Sequence, residues 1–433
     1  MAKITYIGAG STSFGKRLMI DVMTCPALAD GTLALVDINP EALARAEALA
    51  RKIARQLGVP TRIEASTERR AVLGGSDYVL FTVEAPGGVE TRIAERRISR
   101  KYGVEQIVGC TTGLGGVFRA MRYMPLMLDI CRDMEELCPD AYLLHYANPT
   151  STVPWALNLA SKIKSVGLCH SVQGTAQLLA SYCGVPYEET GHWAAGVNHQ
   201  AWMLRFEWRG QDMYPVLREK MADPAFYQRD IVRFEMLKAF GYFVTESSGH
   251  NSEYVPYFRK NAELIRRFTP DATDGVAFQT ATLEYMAKAH EQLKHEAFGD
   301  EPLQIENSHE YCVGIMNALE TNQPLRFNGN VPNTGLITNL PPGACVEVPC
   351  LVDNMGIHPC YVGALPMQCA ALNANRIAGD GLAVKAALEG DREAAFQAVA
   401  LDPLTAALCT LDQIRDMVNE TFAASAPYLP QFR

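Results

Sequence analysis

The chain has 433 residues, enough for two or three domains at ~150 residues each. Hydrophobic residues make up 48% and charged residues 20%, an ordinary globular composition that excludes a disordered chain. Asp and Glu number 48 against 39 Lys and Arg, a net charge of -9. That balance argues against non-specific nucleic-acid binding as the main role.

No apolar run reaches the ~18–20 residues of a membrane span, and the first residues lack a signal-peptide layout, so no membrane partner and a cytoplasmic protein are expected. Twelve cysteines in that compartment should be mostly free thiols. None forms a Cys-x-x-Cys pair, which argues against a zinc ribbon or a thioredoxin-type redox site.

In chain order, Lys3–Gly8 reads as a buried strand and Thr12–Met23 as a helix. Leu33–Ile38 is a second strand, followed by an amphipathic helix over Pro40–Leu57, with Pro40 at a position that suits it. Asp77–Val83 is a strand, Val117–Leu137 a long helix, Tyr142–Tyr146 a strand ending at Asn148-Pro149, and Ser165–His170 another short strand. Strands apolar on both faces and alternating with helices predict a parallel sheet covered on both sides, an α/β fold. After about Ala195 the pattern changes. Trp202–Trp208 and Asp212–Tyr214 flank Arg209-Gly210-Gln211 as a hairpin. Helices are expected over Ile231–Phe240, Thr280–Glu296, Gly381–Gly390 and Asp391–Leu401, with a strand at Gly343–Val352. This predicts a mixed α+β second domain, so the chain divides into residues 1–195 and 196–433.

Ile4 to Ser13 runs from a strand through Gly8-Ala9-Gly10-Ser11-Thr12 into a helix. Gly8 permits the tight turn, and Gly10 lets the backbone approach a pyrophosphate that the helix N-terminus favours. The usual third glycine is absent; Ser13 stands there, with Gly15 two places on. Asp37 ends the second strand, where an acid binds the ribose hydroxyls and repels a 2′-phosphate. Together these features predict NAD binding, the alternative being a structural turn with a solvated Asp37.

Cys169 ends a predicted parallel strand, and His199 follows thirty residues later in Asn198-His199-Gln200. A thiolate and an imidazole can hold a divalent transition metal; the alternative is a buried structural thiol and a hydrogen-bonded histidine. Asn148 also falls at a strand end, where its carboxamide can bind ribose or substrate hydroxyls or simply form an Asn-Pro turn. Thr245 to Tyr254 is dense in proton-exchanging groups, including Glu246 and His250, and otherwise reads as a polar loop.

Ordered through most of the chain, these segments resemble glycoside hydrolase family 4, whose members depend on NAD and manganese. The resemblance rests on Ile7-Gly8-Ala9-Gly10-Ser11-Thr12, Leu114-Gly115-Gly116, Asn148-Pro149, Cys169 to Thr175, Asn198-His199, Gly241 to Ser248, Asn339-Leu340-Pro341 and Val346-Glu347-Val348. Cys169-His170-Ser171-Val172 is similar to the subgroup acting on α-galactosides. The resemblance implies a fold like lactate and malate dehydrogenases, a small glycoside as substrate, and a homodimer or homotetramer. It also implies an unusual mechanism. NAD⁺ oxidises the sugar's C3 hydroxyl, a base removes the acidified C2 proton, the glycosidic oxygen leaves, water adds, and C3 is reduced again.

By the same resemblance Cys169 and His199 are the metal ligands and Asn148 contacts the substrate. His170 assists departure of the leaving group. Tyr254 and His250 are the candidates for the C2 base, with Glu246 third, since Ser247 and Ser248 stand where relatives carry a stronger base. Cys110 replaces an acidic residue of the family pattern. Arg92 falls where the phospho-sugar branch carries an arginine. It reads either as part of a charged helix face or as a ligand for a C6 carboxylate or phosphate. Uronides, α-glucosides and 6-phosphoglycosides are therefore alternative substrates, and a plain NAD-dependent sugar or hydroxyacid dehydrogenase is the alternative reaction on this fold.

Overall fold

The computed structural model describes residues 1–432. Six strands form its parallel part: β1 (Lys3–Ile7), β2 (Thr32–Val36), β3 (Arg62–Ser66), β4 (Tyr78–Phe81), β5 (Tyr142–His145) and β6 (Lys164–Gly167). They lie in the order β3-β2-β1-β4-β5-β6, with every neighbouring pair parallel. This is the doubly wound order of dinucleotide-binding domains. Alternation along each strand explains the covering on both faces. Ile4, Tyr6, Leu33, Leu35 and Leu80 enter one apolar cluster, while Ile7, Ala34, Val36, Val79 and Phe81 enter the other.

The sheet does not stop there. β7 (Thr190–Val197), β8 (Gln200–Trp208), β9 (Gln211–Asp212), β10 (Phe243–Val244), β11 (Leu325–Pro332), β12 (Cys345–Asp353) and β13 (Gly356–Pro359) extend it. β11 joins antiparallel to β6, and β12, β7, β8 and β10 follow. Residue 195 lies inside β7. The last third of the chain returns to the first: Val384, Ala387, Val399, Met417 and Phe422 share a cluster with the helix Gly113–Leu137.

Several expected boundaries move. The first helix spans Gly15–Thr24 and not Thr12–Met23, because turns occupy residues 12–14. Only Gln211–Asp212 of the second hairpin arm is extended; Tyr214 opens a helix with Pro215 in its first turn, where a missing N–H costs nothing. The helix expected at Thr280–Glu296 spans Gly275–Phe298, with the Asp274 carboxylate accepting the Ala277 N–H as its cap. Gly381–Gly390 is the end of a longer helix, Met367–Glu389. The segment from Thr245 to Tyr254 contains a helical turn, Ser248–Asn251. Five strands have no counterpart among the elements expected from the sequence, and two of them, β10 and β13, are only two and four residues long. β3 is an edge strand with no fully buried residue, β7 carries Gly and Ala in place of branched residues, and β11 contains Asn, Gly and Pro.

Among the described residues no helix is long and apolar enough to cross a membrane. All twelve cysteines are free thiols.

Candidate active site

The carboxyl ends of the parallel strands gather the chemistry, as open α/β sheets require. Gly8 follows β1, Asp37 follows β2, Glu84 follows β4, Asn148 follows β5 and Cys169 follows β6. The β7–β8 turn brings Asn198 and His199 to the same edge.

At the first strand, Gly8 has φ +87°, a left-handed turn that a side chain would strain. A Cβ at Gly10 would lie 2.5 Å from the Ala42 Cβ and 2.6 Å from the Asp37 carboxylate. A Cβ at Gly15 would lie 2.5 Å from the Ala9 carbonyl oxygen. Gly15 thus performs the close helix packing usually given to a third glycine, two positions later. Asp37 accepts N–H bonds from Gly10 (3.0 Å) and Asn39 (3.0 Å), which fix its carboxylate beside the turn. Ser11 caps locally by accepting the Phe14 N–H, and Thr12 lies in the same turn. The cradle fits a dinucleotide: small residues, a left-handed turn and a fixed acid at the second strand.

A second cluster lies around His199, which is buried. Its Nδ1 is engaged by Thr111 Oγ1 at 3.1 Å and the Tyr254 hydroxyl at 3.3 Å. Nε2 faces Glu246 Oε2 at 3.8 Å. The His250 ring lies beside it, tilted by 49° with centroids 5.1 Å apart, and its Nδ1 lies 3.5 Å from Glu246 Oε1. One ligand atom each from His199, Glu246 and His250 falls within 4.8 Å of the others. Two imidazoles and a carboxylate suit a borderline divalent cation. Occupation of Nδ1 by Thr111 and Tyr254 leaves Nε2 as the free ligand nitrogen. Glu246 holds φ 76°, outside the usual range of residues with a side chain, and this conformation costs ~1–3 kcal/mol. The strain sits where the carboxylate must serve both histidines. Burial would raise the Glu246 pKa, but His250 and His199 outweigh it and hold the carboxyl well below its usual range. Burial lowers the His199 pKa, and Glu246 only partly restores it.

Cys169 is buried but is not one of the three converging groups. Burial, with Glu347 nearby, pushes its thiol up to about 11. Glu347 is itself fully buried, accepts from Asn198 Nδ2 at 3.4 Å, and is raised to about 7, chiefly by burial. His170 sits at the rim, its side chain 66% exposed and its Nδ1 3.5 Å from Glu310. Tyr254 is buried under the Arg376 guanidinium, 5.8 Å from the ring centroid; burial raises its hydroxyl well above the usual range.

Asn148 links this cluster to Cys110. Its Nδ2 lies 3.2 Å from Cys110 Sγ, and its Oδ1 accepts from the Thr150 N–H at 3.1 Å. Cys110 Sγ is also 3.6 Å from His250 Nε2. Burial would raise the thiol, yet His250, Arg119 and His199 bring it down to about 6. Arg92 is on the helix Gly88–Lys101, but it does not join a solvated face. Its side chain is 13% exposed and points to Glu84, with Nη2 3.6 Å from Oε2.

The site therefore brings together His199, His250, Tyr254, Asn148 and Cys110, with Cys169 and Arg92 adjoining and His170 at the edge. Glu84 and Arg119 lie outside every motif of the sequence, which also does not mark the contact of Thr111 with His199, the hold of Glu253 on Gly109 or the burial of Glu347. A signal was present for two of them. Arg119 interrupts an apolar helical run, and Glu347 stands between valines in a strand.

The family 4 glycosyl hydrolase model matches residues 3–185, and the family 4 glycosyl hydrolase C-terminal domain model matches residues 194–405. An alpha-galactosidase of Bacillus subtilis (strain 168) is 37% identical, with all of both chains covered. A solved 6-phospho-alpha-glucosidase from gut microorganisms, in complex with NAD and Mn2+, superposes with a TM-score of 0.84 over 100% of each chain at 19% identity. Malate dehydrogenase from Plasmodium falciparum shares the fold at a TM-score of 0.53 and 15% identity, covering 92% of this chain and all of the other. With both halves matched and a relative aligned from end to end, this chain belongs to the family 4 glycosyl hydrolases.

Proposed function

We propose that the protein is an NAD- and divalent-metal-dependent glycosidase acting on α-galactosides, with manganese as the metal. One observation carries this reading. A His–Glu–His cluster with a buried tyrosine shares the strand-end edge of the sheet with a dinucleotide turn. A plain dehydrogenase of this fold needs no such cluster. The relative with full-length similarity, named an alpha-galactosidase, supports the substrate.

In this reading Gly8, Gly10, Ser11, Thr12 and Asp37 would hold NAD, which would supply reversible hydride acceptance at the sugar's C3. Cys169 and His199 would hold the divalent ion, with Glu246 and His250 of the same cluster beside His199; the ion would supply positive charge for negative charge developing on substrate oxygens. Asn148 and Arg92 orient the sugar. Oxidation of C3 makes the C2–H bond acidic, and Tyr254 or His250 takes that proton. Tyr254 needs positive charge to ionise, and Arg376 above its ring contributes. His170, held by Glu310 at the rim, is placed to protonate a departing oxygen. Residues 1–195 are the dinucleotide half and also supply Arg92, Asn148, Cys169 and His170, while residues 196–433 add His199, Glu246, His250 and Tyr254. The enzyme acts in the cytoplasm as a homodimer or homotetramer.

The test is hydrolysis of an aryl α-galactoside with NAD⁺, Mn²⁺ and a thiol reductant, beside the α-galacturonide, α-glucoside and 6-phospho analogues. Fastest turnover of the galactoside, lost without NAD⁺, is expected. NADH accumulating in step with product would make the protein a dehydrogenase and sink the proposal.

A further inference from the structure

Two guanidiniums, one buried (Arg119) and one mostly covered (Arg92), share one carboxylate beside the site. Arg119 Nη2 lies 2.8 Å from Glu84 Oε1, and Arg92 Nη2 lies 3.6 Å from Glu84 Oε2. Arg119 is anchored, donating from Nε to the Asn148 carbonyl at 2.8 Å. This bond ties the trio to the residue that also touches Cys110. Two donors are left over. Arg92 Nε and Arg119 Nη1 are buried and have no acceptor. Such donors are rarely left unpaired, so they point to a polar group of something bound. Glu84 keeps 34% of its side chain exposed, so the carboxylate is within reach of a group from outside the protein.

We infer that Glu84 determines specificity by charge: it occupies the Arg92–Arg119 pair so that the site takes a sugar with a neutral substituent and rejects one carrying a carboxylate or phosphate. This rests on the glycosidase reading above and names the substrate class within it. A hydroxyl can accept from the spare donors without meeting a like charge. A substrate anion could accept from them too, but it would stand beside the Glu84 carboxylate, and like charges at close range are strongly unfavourable. Glu84 cancels one of the pair's two positive charges, and the single charge left is spread over two guanidiniums that already face a carboxylate, so it does not offset both the desolvation of a substrate anion and its repulsion by Glu84. Discrimination of this kind works through a repulsive element as well as an attractive one. Glu84→Gln keeps the shape and removes the charge. The local excess then rises from one positive charge to two, and an anionic sugar becomes the better fit.

The experiment measures kcat/KM for aryl α-galactoside, α-galacturonide and 6-phospho-α-galactoside with wild-type holoenzyme, Glu84→Gln and the double variant Glu84→Gln/Arg92→Met. The anionic-to-neutral ratio is expected to rise at least about tenfold in Glu84→Gln and to fall back in the double variant. An unchanged ratio in a Glu84→Gln protein with wild-type circular dichroism overturns the inference. Should neither variant fold, competitive inhibition of the wild type decides. Galactose is expected to bind at least about tenfold more tightly than galacturonate, and the reverse order overturns the proposal. Failure of the wild type on every α-galactoside would instead sink the underlying reading, so the two failures are distinguishable.

Discussion

Glu253 and Gly109 are 144 residues apart and joined by one hydrogen bond, Glu253 Oε2 accepting the Gly109 N–H at 2.8 Å. The other carboxylate oxygen accepts the N–H groups of Ile107 (2.6 Å) and Val108 (2.8 Å). A single fully buried acid thus holds the loop that presents Cys110 and Thr111 to Asn148 and His199. Without it, three backbone donors would lose their acceptor.

Glu253→Ala should therefore destabilise the protein by about 3 kcal/mol, the range for stripping a buried charge from its donors. Urea unfolding measures this. Glu253→Gln should cost less but still lower activity, because its amide NH₂ would oppose one of the three N–H groups. Wild-type stability in Glu253→Ala would show that the loop is held by other contacts.

Asp37→Ala should weaken NAD binding about tenfold or more, losing both the ribose contact and the Gly10 N–H bond that shapes the turn. Titration calorimetry with NAD⁺ checks it; unchanged affinity would place Asp37 outside the cofactor site.

His199→Ala and Cys169→Ser should each abolish Mn²⁺-dependent activity and the rise in Tm that Mn²⁺ confers. Glu246→Gln should weaken the metal by roughly 10–100-fold. Full activity in excess chelator would remove the metal from the mechanism. Retention of the Mn²⁺ effect in Cys169→Ser alone would restrict the ligands to the His199, Glu246 and His250 group.

Product formed in D₂O should carry deuterium at C2, because elimination breaks the C2–H bond and direct displacement at C1 does not. Either Tyr254→Phe or His250→Ala should slow that exchange by roughly 10²–10⁴-fold, with the other substitution milder. Absence of C2 deuterium rules out elimination. Deuterium unaffected by either variant transfers the base assignment to Glu246.

His145 ends β5 fully buried, with both ring nitrogens unpartnered, and burial lowers its pKa to about 3. The unfolded chain binds this proton near pH 6.5 and the folded chain does not until far lower. Stability from this group is thus present above that pH and lost as pH falls toward 3. Wild type should lose about 1 kcal/mol from this source between pH 7 and pH 5.5. His145→Leu should flatten that slope in thermal unfolding across the same range. An equal slope in the variant would refute the assignment.

Much of this protein was legible in the sequence because the deciding signals are local. Buried strands ending in Gly8, Asp37, Asn148 and Cys169 announce a parallel sheet and its functional edge, since apolar runs and turn residues act within a few positions. The family resemblance rests on such segments, and the family models match along them. What only the tertiary structure decided are relations across long separations. Arg92 and Arg119 converge on Glu84, and Glu246 reaches both His199 and His250. Glu253 holds residues 107–109, and β11 returns from beyond residue 320 to pair with β6. Charged side chains carry no periodic signature of their own. Whether one faces solvent or a buried partner depends on which distant element packs against it, and that is a property of the folded chain.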